Sequence, residues 1–373
     1  MISAAAPWLP FDEAVSDRTR LATKIQRSTY LSQGVVPVID QGQEEIAGYT
    51  DDASAAYTGL LPVVLFGDHT RALKFVDRPF AAGADGVKVL EPCSDLDPKF
   101  LWYYLRSRPL PNDGYSRHFK HLRELRVPVP PLPEQHRIVD LLSRAENIVR
   151  MRREAEQKAK EIIPALFLDM FGDPGTNPKG WAESSLGQVT AEFRYGSSQK
   201  SSANGDPVLR IPNVVGGNVD IRDLKFLNAS DSDRGRYSLM SGDILFVRTN
   251  GNPDYVGRCA VFEPPDDRRW LYASYLIRGR PLSDVVDSQF LQEQLSSIEG
   301  RRRLRERART AAGQYNINVA GLRSIPIVLP PLDRQHMFAA LVRRVRELSA
   351  GSATASTVAD ATFQSLLTGV FHQ

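Results

Sequence analysis

The sequence predicts an α+β protein in which two globules of mixed α/β content are separated by two long antiparallel helices, the halves being related by a pseudo-twofold internal repeat. Three features predict this. Pro130-Pro131-Leu132-Pro133-Glu134-Gln135-His136 returns 200 positions later as Pro330-Pro331-Leu332-Asp333-Arg334-Gln335-His336. In the same register Leu122-Arg123 answers to Leu322-Arg323, Leu141 to Leu341, Leu166 to Leu366 and Phe171 to Phe371, so one structural unit is present twice. The length of 373 residues, at roughly 100–200 residues per domain, also predicts two globular units. The third feature is the helical spacing of apolar residues that follows each copy of the motif.

The first globule, residues 1–132, carries β-like runs at residues 34–39, 61–66 and 86–90 and a helical stretch near residues 99–106. In the first long helix, residues 133–172, Ile138, Leu141, Leu142, Ala145, Ile148, Val149, Ile162, Leu166 and Phe167 recur at three and four, with Arg150, Arg152, Arg153, Glu154, Lys158 and Lys160 opposite. Phe171-Gly172-Asp173-Pro174 is its stop signal, and Pro164 is expected to kink it. The second globule, residues 173–331, has β-like runs at 207–211, 243–247 and 259–262 and helical character over 288–309. The second long helix, residues 332–373, is expected to be interrupted at Ala350-Gly351-Ser352. Two such units about a pseudo-twofold axis require the helices to run antiparallel, apolar stripe on apolar stripe. At 1.5 Å per residue the first is roughly 55–60 Å long, about 17 base pairs of DNA.

Composition narrows the class. The hydrophobic share of 42% and charged share of 24% are those of a globular protein, and no apolar run approaches the roughly 20 residues of a bilayer span. No membrane partner is expected. The N-terminal ten residues lack the basic start and long apolar stretch of a signal peptide, and Cys93 and Cys259 are isolated, so a cytoplasmic, disulfide-free protein is expected. The net charge of +3 permits nucleic-acid binding without demanding it. Arg outnumbers Lys 37 to 10, and Arg301, Arg302, Arg303, Arg305, Arg307 and Arg309 crowd into nine residues; the cluster suits phosphate, and a solvated helix face would look the same.

Catalytic signatures are not found. Neither a Gly-x-x-x-x-Gly-Lys phosphate loop, nor a Gly-x-Gly-x-x-Gly turn, nor an Asn-Pro-Pro-aromatic methylase box is present. His118 and His121 stand three apart without further ligands at metal-binding spacing, so no metal site is expected. His136 and His336, at the helix starts beside Gln135 and Gln335, are read as capping or packing residues. What remains is polar and aromatic material on loops in equivalent places of both halves. In the first these are Gln41 and Gln43, then His69 and Arg71, then Arg117, His118 and Lys120. In the second they are Arg194, Tyr195, Ser198 and Lys200, then Arg248, Asn250 and Asn252, then Gln314, Tyr315 and Asn316. Such side chains supply the donors and stacking faces that phosphates and base edges require.

Together the two Pro-Pro-Leu-x-x-Gln-His helix starts, the helix end Ala165-Leu166-Phe167-Leu168-Asp169-Met170-Phe171-Gly172-Asp173-Pro174, the segment 181–186 and Gly242-Asp243-Ile244-Leu245-Phe246 make the chain resemble a specificity subunit of a type I restriction-modification system. The resemblance covers nearly the whole length. It implies that each globule is a target-recognition domain reading a few base pairs, so that the pair reads a bipartite, gapped site on double-stranded DNA. The helices would set the gap and dock two methylase subunits and, in systems that cut, restriction/translocase subunits. It implies no catalysis and no cofactor in this chain; S-adenosylmethionine is expected in the partner methylase. Other readings are a stand-alone nuclease or methyltransferase with a degenerate site such as Glu156-Gln157-Lys158, a scaffold that does not read DNA, and a recognition subunit of another phage-defence modification system.

Overall fold

The computed structural model describes residues 2, 6–83, 86–111, 114, 116–311 and 313–371; residues 1 and 3–5 of the N-terminal stretch weighed above as a leader lie outside the described residues. The chain forms two compact units, Met1–Glu154 with Thr354–Gln373, and Ala155–Ala353. The division falls inside both long helices, so each unit holds part of each. No helix among the described residues is long and apolar enough to cross a membrane.

In the first unit a four-stranded antiparallel sheet has the order Val15–Asp17, Val87–Pro92, Val63–Gly67, Leu73–Val76. Val63–Gly67 is buried along its length, as an unbroken apolar run in a sheet covered on both faces should be. A second sheet orders Lys24–Ile25, Ala81–Gly83, Val36–Ile39 and Gly48–Thr50, with parallel pairing on both sides of Ala81–Gly83 and an antiparallel edge strand. Trp8–Pro10 pairs with Arg126–Pro128 as a separate ribbon. The helix Pro98–Arg106 starts where proline costs nothing, and the Asp97 carboxylate accepts from the amides of Lys99 and Phe100 at 2.9 and 2.8 Å. It buries Phe100, Tyr103 and Tyr104 in a core that also takes in Ile138, Leu142 and Val149 of the first long helix and Phe363, Leu367 and Val370 of the second.

The second unit repeats the plan of the main sheet and of the ribbon. Its main sheet, also antiparallel throughout, runs Thr190–Tyr195, Leu276–Pro281, Ile244–Val247, Cys259–Val261, and Ala182–Ser185 pairs with Pro326–Leu329 as the counterpart ribbon. Asp287 caps the helix Ser288–Ser296 just as Asp97 caps its equivalent. The single helical stretch expected over residues 288–309 is two helices. Ser297 ends the first and caps the second, Ile298–Arg307, its hydroxyl accepting from the Gly300 amide at 3.1 Å. A side chain at Gly300 would meet the Gln294 carbonyl at 2.2 Å, so only glycine allows this corner. Phe167 and Phe171 of the first long helix stack with Phe290 and with Phe338 of the second, ring centroids 4.8–6.4 Å apart.

Both long helices are unbroken, Leu132–Phe171 and Leu332–Phe371. Within each unit the early turns of one pack beside the late turns of the other, which makes them antiparallel: Arg153 pairs with Asp360 at 2.7 Å in the first, and Phe167 meets Phe338 in the second. The interruption expected at Ala350-Gly351-Ser352 is absent. One glycine costs a helix about 1 kcal/mol, less than packing on either side supplies. Pro164, likewise, lies within a helix that continues, its following turn pinned by Phe167 and Phe171. Gly351 is exposed, and an added methyl group would meet nothing within 4 Å. Gly351→Ala should therefore raise the unfolding free energy by about 0.5–1 kcal/mol in a urea titration; an unchanged or lowered value would show the helix to be locally non-ideal there.

The repeated motif has a definite structural task, carried by glutamine and not by histidine. Gln135, fully buried, accepts from the Asp97 amide at 2.7 Å and donates to the carbonyls of Asp95 and Pro130, each at 2.7 Å. Gln335, also fully buried, accepts from the Asp287 amide at 2.9 Å and donates to the Pro330 carbonyl at 2.8 Å. In both units one amide thus ties the start of a long helix to the N-terminus of the globule's own helix. His136 and His336 are exposed, which corrects their expected capping or packing role; His136 only approaches Asp97, at 3.8 Å.

Candidate nucleic-acid interface

Three loops of the first unit are bound into one polar surface. The Gln41 side-chain oxygen accepts from the His69 amide at 3.2 Å, and the Thr70 hydroxyl donates to the Gln41 carbonyl. His69 Nδ1 meets the Ser116 carbonyl at 3.1 Å, and Lys74 donates to the Asp40 carbonyl at 2.8 Å. Arg71 closes its turn with φ at 62° and reaches the Leu110 carbonyl at 3.3 Å. Gln41, His69 and Arg71 are half-buried members of this network, whereas Gln43, Arg117 and Lys120 are exposed. His118 is not a contact residue. It is fully buried, with its Nδ1 on the Asp68 carbonyl at 3.0 Å, and it braces the loop from beneath; a buried ring cannot meet a base, so its expected DNA-binding role is corrected.

The second unit gathers its loops differently. Thr249–Asn250, Gln314–Asn316 and Arg309–Ala311 form a three-stranded sheet of their own, with Asn250 opposite Tyr315, and the Thr249 hydroxyl donates to Gln314 at 2.9 Å. The Arg248 guanidinium lies 4.8 Å over the Tyr195 ring, and the Tyr195 hydroxyl accepts from the Val319 amide at 3.3 Å. The structure therefore brings Tyr195, Arg248, Asn250, Gln314, Tyr315 and Asn316 together. Asn252 is exposed in the turn that follows, its amide held by Asn250 at 2.9 Å. Ser198 and Lys200 lie exposed on the segment after Tyr195, beside a cleft of about 230 Å³ lined by Ser197, Gln199, Arg210, Lys225 and Tyr275. Gly196 makes that segment possible, since a side chain there would meet the carbonyls of Tyr272 and Ala273 at 2.4 Å. Tyr275 is a residue the sequence reading missed. It is 59% exposed, its carbonyl accepts from the Arg248 amide at 2.9 Å, and the available signal was an aromatic in the turn between two strands.

Not every cation is available. Arg194 is spent on Glu192, whose second oxygen also pairs with the buried Arg278. Partial burial pushes the Glu192 carboxyl up, but the hydrogen bond from Arg194 and the charges of Arg278 and Arg280 outweigh it and leave the group below its usual range. Most of the Arg301–Arg309 run is likewise engaged by other groups of the same unit, although Arg302, Arg305, Arg307 and Arg309 are exposed. Arg302 and Arg303 share Glu299, Arg305 reaches Asp254 at 3.2 Å, and Arg307 donates to Ser324 at 2.9 Å. The hydrogen bond from Arg302, joined by that from Arg303, holds the Glu299 carboxyl down to about 2 against the cost of its burial. Because the folded value lies below the unfolded one, this pairing stabilises the fold above about pH 4.5 and is lost as pH falls through about 2. A carboxyl-carbon NMR titration should find Glu299 still ionised at pH 3; a midpoint near 4.5 would mean the two arginines are free in solution.

Among the described residues no group of three or more His, Cys, Asp or Glu is placed to hold a metal ion. Residues 22–161 match the family model described as the type I restriction modification DNA specificity domain. That match lies within the first globule and the first long helix, and the chain is similar to specificity subunits of type I restriction enzymes. It is 30% identical over 240 residues to the EcoKI specificity subunit of Escherichia coli K12, a match covering 61% of this chain and 51% of that one. The StySPI specificity subunit of Salmonella potsdam is 27% identical over 239 residues, covering 61% and 51%. The chain thus spans about half the length of these relatives. The fold is that of a type I restriction-modification S subunit from M. genitalium, with a TM-score of 0.62 at 13% identity over 100% of this chain and 98% of that one. A chain solved in a study of complex assembly and conformational transition of the type I R-M system superposes with a TM-score of 0.57 at 18% identity, covering 100% and 99%.

Proposed function

We propose that this chain is the DNA-reading subunit of a type I restriction-modification complex, each unit reading one half of a bipartite, gapped site on double-stranded DNA and the long helices setting the gap. The observation that carries the reading is the pairing of one scaffold with two different loop sets. The main sheet's strand order, the capping aspartate and the buried glutamine are the same in both units, while the loops differ in sequence and in the way they are held. That is how two readers of unlike sequences on one frame should differ.

The chain itself does no chemistry in this reading. Two methylase subunits, which would hold S-adenosylmethionine and act on an extruded adenine, would dock along the long helices, with restriction/translocase subunits joining in a system that cuts. In support, Leu141, Ile148 and Met151 in the first unit and, separately, Met337, Leu341 and Leu348 in the second are 42–60% exposed, apolar residues on each long helix suited to protein partners. A scaffold that does not read DNA would use the same surface. Co-expression with the cognate methylase and sequencing of native DNA decides between them. Two short defined halves around an undefined gap are expected, with DNA affinity falling steeply as salt rises. A single ungapped motif would mean one unit is silent, and an assembled complex without modification would favour the scaffold.

A further inference from the structure

Within the second unit a cavity of about 620 Å³ opens between the first long helix, the loop at residues 215–218 and the helix Ile298–Arg307. That volume suits a small molecule. Its walls carry Lys160, Arg258, Arg301, Arg305 and Arg346 against the carboxylates of Glu156, Asp254 and Glu293. Two of the cations are answered. Arg346 pairs with Glu293 at 2.7 Å, and Arg305 with Asp254 at 3.2 Å. Lys160, Arg258 and Arg301 then face Glu156 alone, an excess of two positive charges.

The two remaining guanidiniums are fixed without being neutralised. Arg258 donates to the carbonyls of Asp254 at 2.8 Å and Val215 at 3.2 Å, and Arg301 donates through one nitrogen to those of Val256 at 2.8 Å and Asp254 at 3.1 Å. The other Arg301 nitrogen, Nη1, is buried and has no acceptor, and burial correspondingly lowers the affinity of this guanidinium for its proton. Glu156 Oε1 is likewise buried without a donor. A buried polar atom left unanswered costs about 1–3 kcal/mol, and both residues that carry one, Arg301 and Glu156, line the cavity. Along one side Ala159, Ile163 and Pro164 form an apolar wall.

We propose that this cavity binds a nucleoside phosphate, its dianionic phosphate seated on Arg301, Arg258 and Lys160, a hydroxyl or amine donating to Glu156, and its base lying on the Ala159–Ile163–Pro164 wall. A phosphate monoester near pH 7 carries close to the two negative charges the cavity lacks, and its oxygens match the guanidinium donors. The cavity adjoins the loop that carries Asn252, whose side chain accepts from the Asp254 amide at 2.9 Å, and its charge and volume fit a small ligand whether or not that loop reads DNA.

The test is isothermal titration of the full-length chain with adenosine monophosphate, adenosine and inorganic phosphate, repeated on Lys160→Gln and Arg301→Met. Saturable one-to-one binding of the monophosphate is expected, at least tenfold tighter than either fragment alone. Lys160→Gln should weaken it several-fold and Arg301→Met at least tenfold. Lys160 is exposed on its helix, so its variant keeps the wild-type melting temperature and reads binding alone. Absence of saturable heat, or equal affinity in wild type and both variants, overturns the proposal. Inorganic phosphate binding as tightly as the nucleotide reduces the site to an adventitious anion seat. Competitive displacement of the nucleotide by a short DNA duplex would reassign the cations to the DNA backbone and equally overturn it.

Discussion

In the assembled complex, replacing Arg248 and Gln314 together by alanine should cut affinity for the cognate site by about 2–6 kcal/mol, two base or phosphate contacts at about 1–3 kcal/mol each. The loss should fall on one half-site. Arg248 stacks on Tyr195 and Gln314 accepts from Thr249, so both side chains are pre-positioned by neighbours instead of being ordered on binding. Both are at least partly exposed, and neither supports the second unit's core, where Ile244, Phe246 and Ile277 lie. The double variant should therefore unfold at the wild-type denaturant midpoint. Methylation measured on hybrid DNAs, each altered in one half of the site, separates the contributions. Wild-type discrimination in the half read by the first unit, with relaxed discrimination in the other, is the expected pattern. Equal loss in both halves would mean these residues act through general affinity, and no loss would remove this surface from DNA reading.

Much of the fold was legible because it was written twice. The fixed 200-residue register located both long helices to within a residue at their starts, and the apolar runs at 61–66, 243–247 and 259–262 became the buried strands Val63–Gly67, Ile244–Val247 and Cys259–Val261. The errors share a cause, which is reading a polar residue by type instead of by position on its element. Gln135 stands three and seven residues before Ile138 and Leu142, on the buried face of its helix, whereas His136 is turned a hundred degrees away. His118 likewise precedes the buried Leu122 by four. In the arginine run Glu299 sits three and four residues before Arg302 and Arg303, the spacing at which helix side chains pair, so the internal use of those cations was already visible. The convergence of Tyr195, Arg248 and Gln314 was not. It depends on strand pairing between segments more than sixty residues apart, which no local pattern encodes.

The two buried glutamines make the sharpest test of the two-reader proposal. Gln135→Leu keeps volume and burial but strands the Asp97 amide and the Asp95 and Pro130 carbonyls, and Gln335→Leu does the same to the Asp287 amide and Pro330 carbonyl. With each unanswered buried group costing about 1–3 kcal/mol, Gln335→Leu should lose about 2–6 kcal/mol of stability in its unit and Gln135→Leu, which strands one group more, should lose more than that variant does. A stability loss alone would be expected of any buried amide. The functional consequence is more specific, because these amides join the start of each long helix to the capped helix of the same unit. Under the proposed function that joint fixes where a reader sits along the helices that set the gap. Below the melting temperature, Gln335→Leu should therefore broaden the gap lengths accepted between the two half-sites by about one base pair in either direction while both halves remain recognised, since the reading loops are untouched. Native-DNA sequencing of a host expressing the variant reads this directly as the spectrum of gaps at modified sites. A spectrum as sharp as wild type, from a protein shown to be destabilised, would leave the glutamines as fold-stabilising residues only and place the setting of the gap elsewhere along the helices.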